Sequence, residues 1–142
     1  MRFMVIVKTT PETEKQGALP DPQGLLEMGK YLEELTKAGV VLAMDGLHPS
    51  SKGAKVHFSG NYRTVVDGPF TEAKELIAGF WIWQVKSREE AIEWAKRAPF
   101  ADGVTLELRQ VFEPTELPAS PETKALGEKL RSDIAKRDPA KR

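Results

Sequence analysis

The stretch from Leu76 to Val85 is almost wholly apolar, and it constrains the fold more than any other part of the chain. Read as a strand over 77–85, it points Phe80 and Ile82 to one side and Trp81, Trp83 and Val85 to the other. Residues 2–8 read as a second strand of this kind, with Phe3, Val5 and Val7 opposed to Met4 and Ile6. Antiparallel sheets normally keep one face in water and alternate accordingly. Two helices can cover only one face of a sheet, and soluble monomers rarely expose an apolar patch as large as the other face. The economical expectation is a second copy packing sheet to sheet, a homodimer. The alternative is that the long loops and the C-terminal tail fold over that face.

The remaining elements are placed around these strands. Thr9 to Gly24 is polar and rich in Pro and Gly, and is expected to be a long loop. A helix follows, capped by Asp21 or a neighbour, with Leu25, Met28, Leu32 and Leu35 at three- and four-residue spacing and Gly39 as its left-handed stop. Val40 to Leu47 reads as a strand ended by His48-Pro49. Lys55 to Phe58 and Tyr62 to Val66 alternate around Ser59-Gly60-Asn61 as a hairpin. Ser87 and Glu90 are placed to form a capping box for a helix that buries Ala91, Trp94, Ala95 and Ala98 and stops at Pro99. Val104 to Phe112 is the last strand. The order β-α-β, hairpin, β-α-β predicts an α+β, ferredoxin-like sandwich with an inserted hairpin over residues 1–113. From Pro114 onward prolines mark a linker, and from Pro121 the tail carries seven basic and four acidic residues. Residues 114–142 therefore read as a charged extension. Ser120-Pro121 can start one amphipathic helix there, striped by Leu126, Leu130 and Ile134.

Composition excludes several function classes. The 142 residues suffice for one domain with its own core. Twenty-one basic residues balance twenty-one acidic ones, so no global field recruits nucleic acid or an anionic membrane. There are no cysteines, which removes disulfides and thiolate chemistry and suits a reducing compartment. No apolar run approaches the ~20 residues that span a bilayer, and the first residues lack a signal-peptide core. The chain reads as cytoplasmic. Its two histidines match no metal template, its glycines fit neither the P-loop nor the dinucleotide spacing, and no cofactor is assigned.

Chemistry concentrates in two places. Asp67-Gly68-Pro69-Phe70-Thr71-Glu72-Ala73-Lys74-Glu75 packs a turn, an aromatic anchor and four ionisable groups between strands. Asp67 is expected to cap its own backbone, Gly68 to take a positive φ, Pro69 to fix φ and Phe70 to plug the core. Glu72, Lys74 and Glu75 are then either a solvated face, with Lys74 pairing a carboxylate, or the rim of a site beside the tryptophans. His48 ends a strand and precedes a proline, where rigid scaffolds present chemical groups. A neutral imidazole there, near a carboxylate such as Asp67, makes a general base; the alternative is an exposed turn histidine.

Residues 1 to about 113 resemble the YCII-related family, in its DGPF-type form. The resemblance rests on the first apolar strand, Gly46-Leu47-His48-Pro49, Asp67-Gly68-Pro69-Phe70, Glu72 to Glu75 followed by Gly79-Phe80, and the Glu90-Ala91 helix start. It implies a ferredoxin-like subunit in a dimeric α+β barrel. Relatives of that fold include muconolactone isomerase-like and dehydrochlorinase-like enzymes acting on small cyclic or aromatic compounds. A His–Asp pair proposed as catalytic in the wider group carries over to His48 and Asp67. Some DGPF-type members are encoded beside alternative sigma factors.

The expectation is a small-molecule-binding homodimer, with acid–base catalysis, isomerisation or elimination, on a small cyclic or aromatic compound. His48 would be the base and Asp67 its orienting group, and Glu72, Lys74 and Glu75 would bind substrate. The competing expectation is a non-catalytic ligand-binding or protein-interaction module that accompanies a transcription regulator.

Overall fold

The computed structural model describes residues 1–15 and 20–141. By contacts the chain divides into two compact units, Met1–Val111 and Phe112–Arg142. The first unit runs β1 (Arg2–Lys8), α1 (Pro11–Lys15), α2 (Pro22–Lys37), β2 (Val41–Gly46), β3 (Ala54–Ser59), β4 (Tyr62–Asp67), β5 (Ile77–Gln84), α3 (Arg88–Lys96) and β6 (Leu106–Gln110). Single 3-10 turns occupy Ser50–Lys52 and Ala73–Glu75. Four strands form one antiparallel sheet in the order β2-β5-β1-β6, and β3 and β4 form a separate hairpin. This is the ferredoxin-like arrangement with a hairpin inserted between β2 and β5.

The two strands that are apolar on both faces are the two interior strands. Phe3 lies opposite Trp83 and Val5 opposite Trp81, all on the face that α2 and α3 cover. Trp81 and Trp83 stack at 5.6 Å, and Tyr31 of α2 meets Trp81 edge-on at 6.0 Å. The Tyr31 hydroxyl donates to the Trp94 carbonyl at 2.7 Å, tying α2 to α3. Trp83 is fully buried, and its Nε1 has no hydrogen-bond partner among the described residues. That unmet donor costs about 1–3 kcal/mol, set against the apolar area the ring buries. On the opposite face Met4 pairs with Ile82 and Ile6 with Phe80. Those four side chains are half-buried and stand outside the core cluster.

Several local expectations are corrected. The stretch from Thr9 to Gly24 is not all loop: α1 occupies Pro11–Lys15, while 16–19 lie outside the described residues. The inward stripe of α2 is Met28, Tyr31, Leu32 and Leu35; Leu25, expected on it, is 56% exposed. A stripe read from aliphatic residues alone overlooked the tyrosine, whose ring is apolar and whose hydroxyl needs one partner. The α3 cap is half a capping box. Ser87 accepts from the Glu90 N–H, but the Glu90 carboxylate accepts from the Lys86 N–H rather than from Ser87. The hairpin buries neither face, and Val56, Phe58 and Val65 are exposed along it. Arg63 covers part of that surface, its guanidinium 4.4 Å over the Phe58 ring.

In the second unit α4 spans Pro121–Ala135, with the Ser120 hydroxyl accepting from the Thr123 N–H and Pro121 in the first turn. Leu126, Leu130 and Ile134 are exposed along it. No helix among the described residues is long and apolar enough to cross a membrane.

The Tyr31 phenol carries a pH signature of this packing. Burial pushes its pKa from 10.0 up to about 12, with Arg97 pulling the other way. Below pH 10 both folded and unfolded chains hold the proton. Between pH 10 and about 12 the unfolded chain ionises first, so the folded state loses about 1.4 kcal/mol per pH unit. Tyr31→Phe is expected to cost about 1 kcal/mol near neutrality and to escape that loss. Urea midpoints of the two proteins should therefore converge above pH 10; a gap that stays constant contradicts the burial.

Candidate functional site

The site is built where β2 leaves the sheet. Gly46 pairs with Gly79, and the Leu47 N–H donates to the Ala78 carbonyl at 2.8 Å. A Cβ on Gly79 would come 2.8 Å from the Asp45 carbonyl oxygen, so only glycine lets β2 lie this close. His48 and Pro49 then turn away into the Ser50–Lys52 turn.

Ser50 joins three segments distant in sequence. Its N–H and its hydroxyl donate to the two oxygens of the Glu14 carboxylate on α1, at 3.0 and 2.7 Å. The same hydroxyl oxygen accepts from the Phe70 N–H at 3.0 Å. The Ser50 carbonyl packs directly on Gly68, where a Cβ would stand 1.6 Å from its oxygen. The Gly68 N–H donates to the Gly53 carbonyl, and the Gly68–Pro69 peptide is cis. Gly68 is therefore required for close approach; its φ is not positive, contrary to the expectation from turn chemistry.

Phe70 does not plug the core. It is half-buried beneath Lys55, whose ammonium lies 4.5 Å from the ring centroid. Lys55 also bonds both oxygens of Glu75, at 3.0 and 3.2 Å. The expected Lys74 pairing with a carboxylate is thus replaced by Lys55. Lys74 contributes its carbonyl, which accepts from the Lys8 ammonium at 2.8 Å.

Two adjoining clefts flank this junction. The larger, about 380 Å³, is walled by Pro11, Glu14, Pro49, Pro69 and Phe70. The smaller, about 300 Å³, is lined by His48, Ser50, Lys52, Glu75, Leu76 and again Glu14, Pro49 and Phe70. Of the residues expected from the sequence, His48 and Glu75 meet in the smaller cleft. Asp67, Glu72 and Lys74 line neither cleft. Asp67 ends β4 opposite Ala54 and is exposed, with no hydrogen bond to His48. Glu72 is exposed, and its carbonyl caps the turn at Ala73–Glu75. Sequence reasoning missed Glu14, Ser50, Lys52 and Lys55. Glu14 and Ser50 meet across 36 residues, and neither carried a local signal beyond lying in polar turns.

Within the smaller cleft the carboxylates are already engaged, Glu14 by Ser50 and Glu75 by Lys55. The side chains of His48 and Lys52 make no hydrogen bond or ion pair among the described residues; the Lys52 N–H donates to the Pro49 carbonyl. The walls from Leu47, Pro49, Phe70, Leu76 and Ile77 are apolar. The cleft thus sets these apolar walls beside His48 and Lys52. Among the described residues no group of three or more His, Cys, Asp or Glu side chains is disposed to hold a metal ion.

This is a ferredoxin-like α+β domain with a cleft at the β2 end. A family model for the YCII-related domain matches residues 1–115, and the chain belongs to that family. It is 28% identical over 103 residues to an uncharacterized protein of Rhizobium meliloti (strain 1021), covering 70% of this chain and 83% of that one. Among solved structures it is similar, at 16% identity and a TM-score of 0.41, to 5-chloro-2-hydroxyhydroquinone dehydrochlorinase from Burkholderia phenoliruptrix AC1100 in complex with 2,5-dihydroxybenzoquinone. The alignment covers 81% of this chain and 98% of that one.

The Ser50–Gly68 contact makes a direct prediction. Gly68→Ala must push the loops apart and break the Gly68–Gly53 and Phe70–Ser50 bonds, at a cost of about 2 kcal/mol or more. Gly46→Ala, whose Cβ would meet open space, is the control and should cost less than about 1 kcal/mol. Equal urea midpoints for the two variants would contradict the contact.

Proposed function

We propose that this YCII-related protein binds a small cyclic or aromatic compound in the cleft lined by His48, and that the imidazole moves a proton on it. The observation that carries this reading is an unengaged imidazole on an apolar-walled cleft whose carboxylates already have partners. A histidine in that setting is the natural general base near neutral pH. The reaction class is isomerisation or elimination, each of which begins with removal of a proton. Asp67 is the proposed orienting group, on the segment whose next residue, Gly68, packs against Ser50. Glu75 stands at the rim, with Glu72 and Lys74 proposed just outside it. A thermal-shift screen with small aromatic acids, phenols and lactones tests the reading. A saturable rise in Tm is expected, lost in His48→Ala; mass action converts the rise into an affinity. No rise across the set would move the assignment to the interaction-module reading, which the exposed Leu126, Leu130 and Ile134 stripe favours.

The working unit is proposed to be a homodimer formed through Met4, Ile6, Phe80 and Ile82, the face that α2 and α3 leave uncovered. Asp45 and Glu107 pair with residues of this patch from one side and the other, and Arg109 adds a cation, giving it a polar rim. Light scattering at micromolar concentration is expected to give twice the 15.8 kDa of one chain, and Ile82→Lys is expected to give a monomer. A wild-type mass of one chain would overturn the dimer.

A further inference from the structure

We infer that the ligand of this cleft carries a carboxylate, and that Glu14 occupies the carboxylate's place while the site is empty. The inference rests on the small-molecule reading above and narrows its substrate class to ring compounds bearing a carboxylate.

The Ser50 N–H and hydroxyl each bond one oxygen of the same carboxyl group, at 3.0 and 2.7 Å. Because the Ser50 oxygen accepts from the Phe70 N–H, its own hydrogen is directed to the carboxylate and not to the loop. The result is a fixed pair of donors matched to any carboxylate, and hydrogen bonds to charged acceptors are the strong ones. Lys52 and His48 line the same cleft, neither side chain with a partner among the described residues.

The present occupant of the donor pair is weakly held by everything else. Glu14 belongs to α1, which has five residues and buries none of them. A helix of that length has no stability of its own. Among the described residues, the only hydrogen bonds of the Glu14 side chain are the two to Ser50. A ligand carboxylate would exchange like for like at Ser50 and gain Lys52 as well, while Glu14 returns to solvent. The exchange also withdraws Glu14 from both clefts, so the ring gains the wall formed by Pro49, Pro69 and Phe70. Glu14 is therefore an internal competitor, and it lowers apparent affinity by the fraction of time it holds Ser50.

Titration calorimetry with benzoate and its neutral analogue benzamide tests this on the full chain. Wild type is expected to prefer benzoate. Glu14→Ala should tighten benzoate by about tenfold, the worth of one such hydrogen bond, and benzamide by less. Glu14→Gln, which keeps one acceptor for Ser50 and preserves α1, should fall between; Ser50→Ala, which removes the hydroxyl donor and leaves the backbone N–H, should weaken the preference. If benzamide binds as well as benzoate and neither Glu14 variant alters either affinity, the exchange is refuted while ring binding stands. If neither probe binds any variant, the cleft reading falls and this inference with it.

Discussion

The pairing of β1 with β5 carries both the fold and the position of the site. On the helix side it sets Phe3 against Trp83 and Val5 against Trp81, under Tyr31 and Leu35 of α2 and Ala91 of α3. Aromatic side chains bury about 150–250 Å² each, so the two tryptophans supply a large share of this small core. The same β5 strand takes β2 along its other edge, and Gly79 lets the Asp45 backbone approach closely. His48 therefore emerges at a place determined by the core. A bulkier residue at Gly79 would displace the site before it disturbed the tryptophans.

Beyond the sheet, control passes from apolar packing to hydrogen bonds. Ser50 gathers α1, its own turn and the Asp67–Glu75 loop through one N–H and one hydroxyl, with Gly68 in contact with its carbonyl. Lys55 then fastens the hairpin to the same loop by lying on Phe70 and bonding Glu75. None of these residues belongs to the core cluster. Regions held in this way open more readily than a packed sheet. The cleft is anchored on a sheet strand at one end and bounded by hydrogen-bonded loops at the other.

Much of the framework was legible because its signals are local. The strands at Arg2–Lys8 and Ile77–Gln84 announce themselves by apolar residues on both faces, and Asp21, Ser87 and Ser120 mark helix starts by short polar side chains. The hairpin followed from alternation around Gly60-Asn61, although alternation could not say that both of its faces would be exposed. α1 was illegible because five residues have no room for an apolar stripe. Of the residues that line the smaller cleft, His48 and Glu75 had been singled out from strand-end position and loop charge. The Glu14–Ser50 and Lys55–Glu75 pairs were not, because each joins residues 20 or more apart whose types are common on any surface. Gly68 was singled out for the wrong reason: proximity to Ser50, not backbone angle, demands it.

The proposed ligand site is the junction of two loops, not the apolar sheet face or the α4 stripe. A ¹H–¹⁵N NMR titration with benzoate tests that placement residue by residue. Saturable shifts confined to the amides of residues 47–53 and 68–76, with Ser50 and Phe70 among the largest, are the predicted result. Shifts centred on Met4, Ile6, Phe80 and Ile82, or on the α4 residues, with those loop amides unmoved, would contradict it.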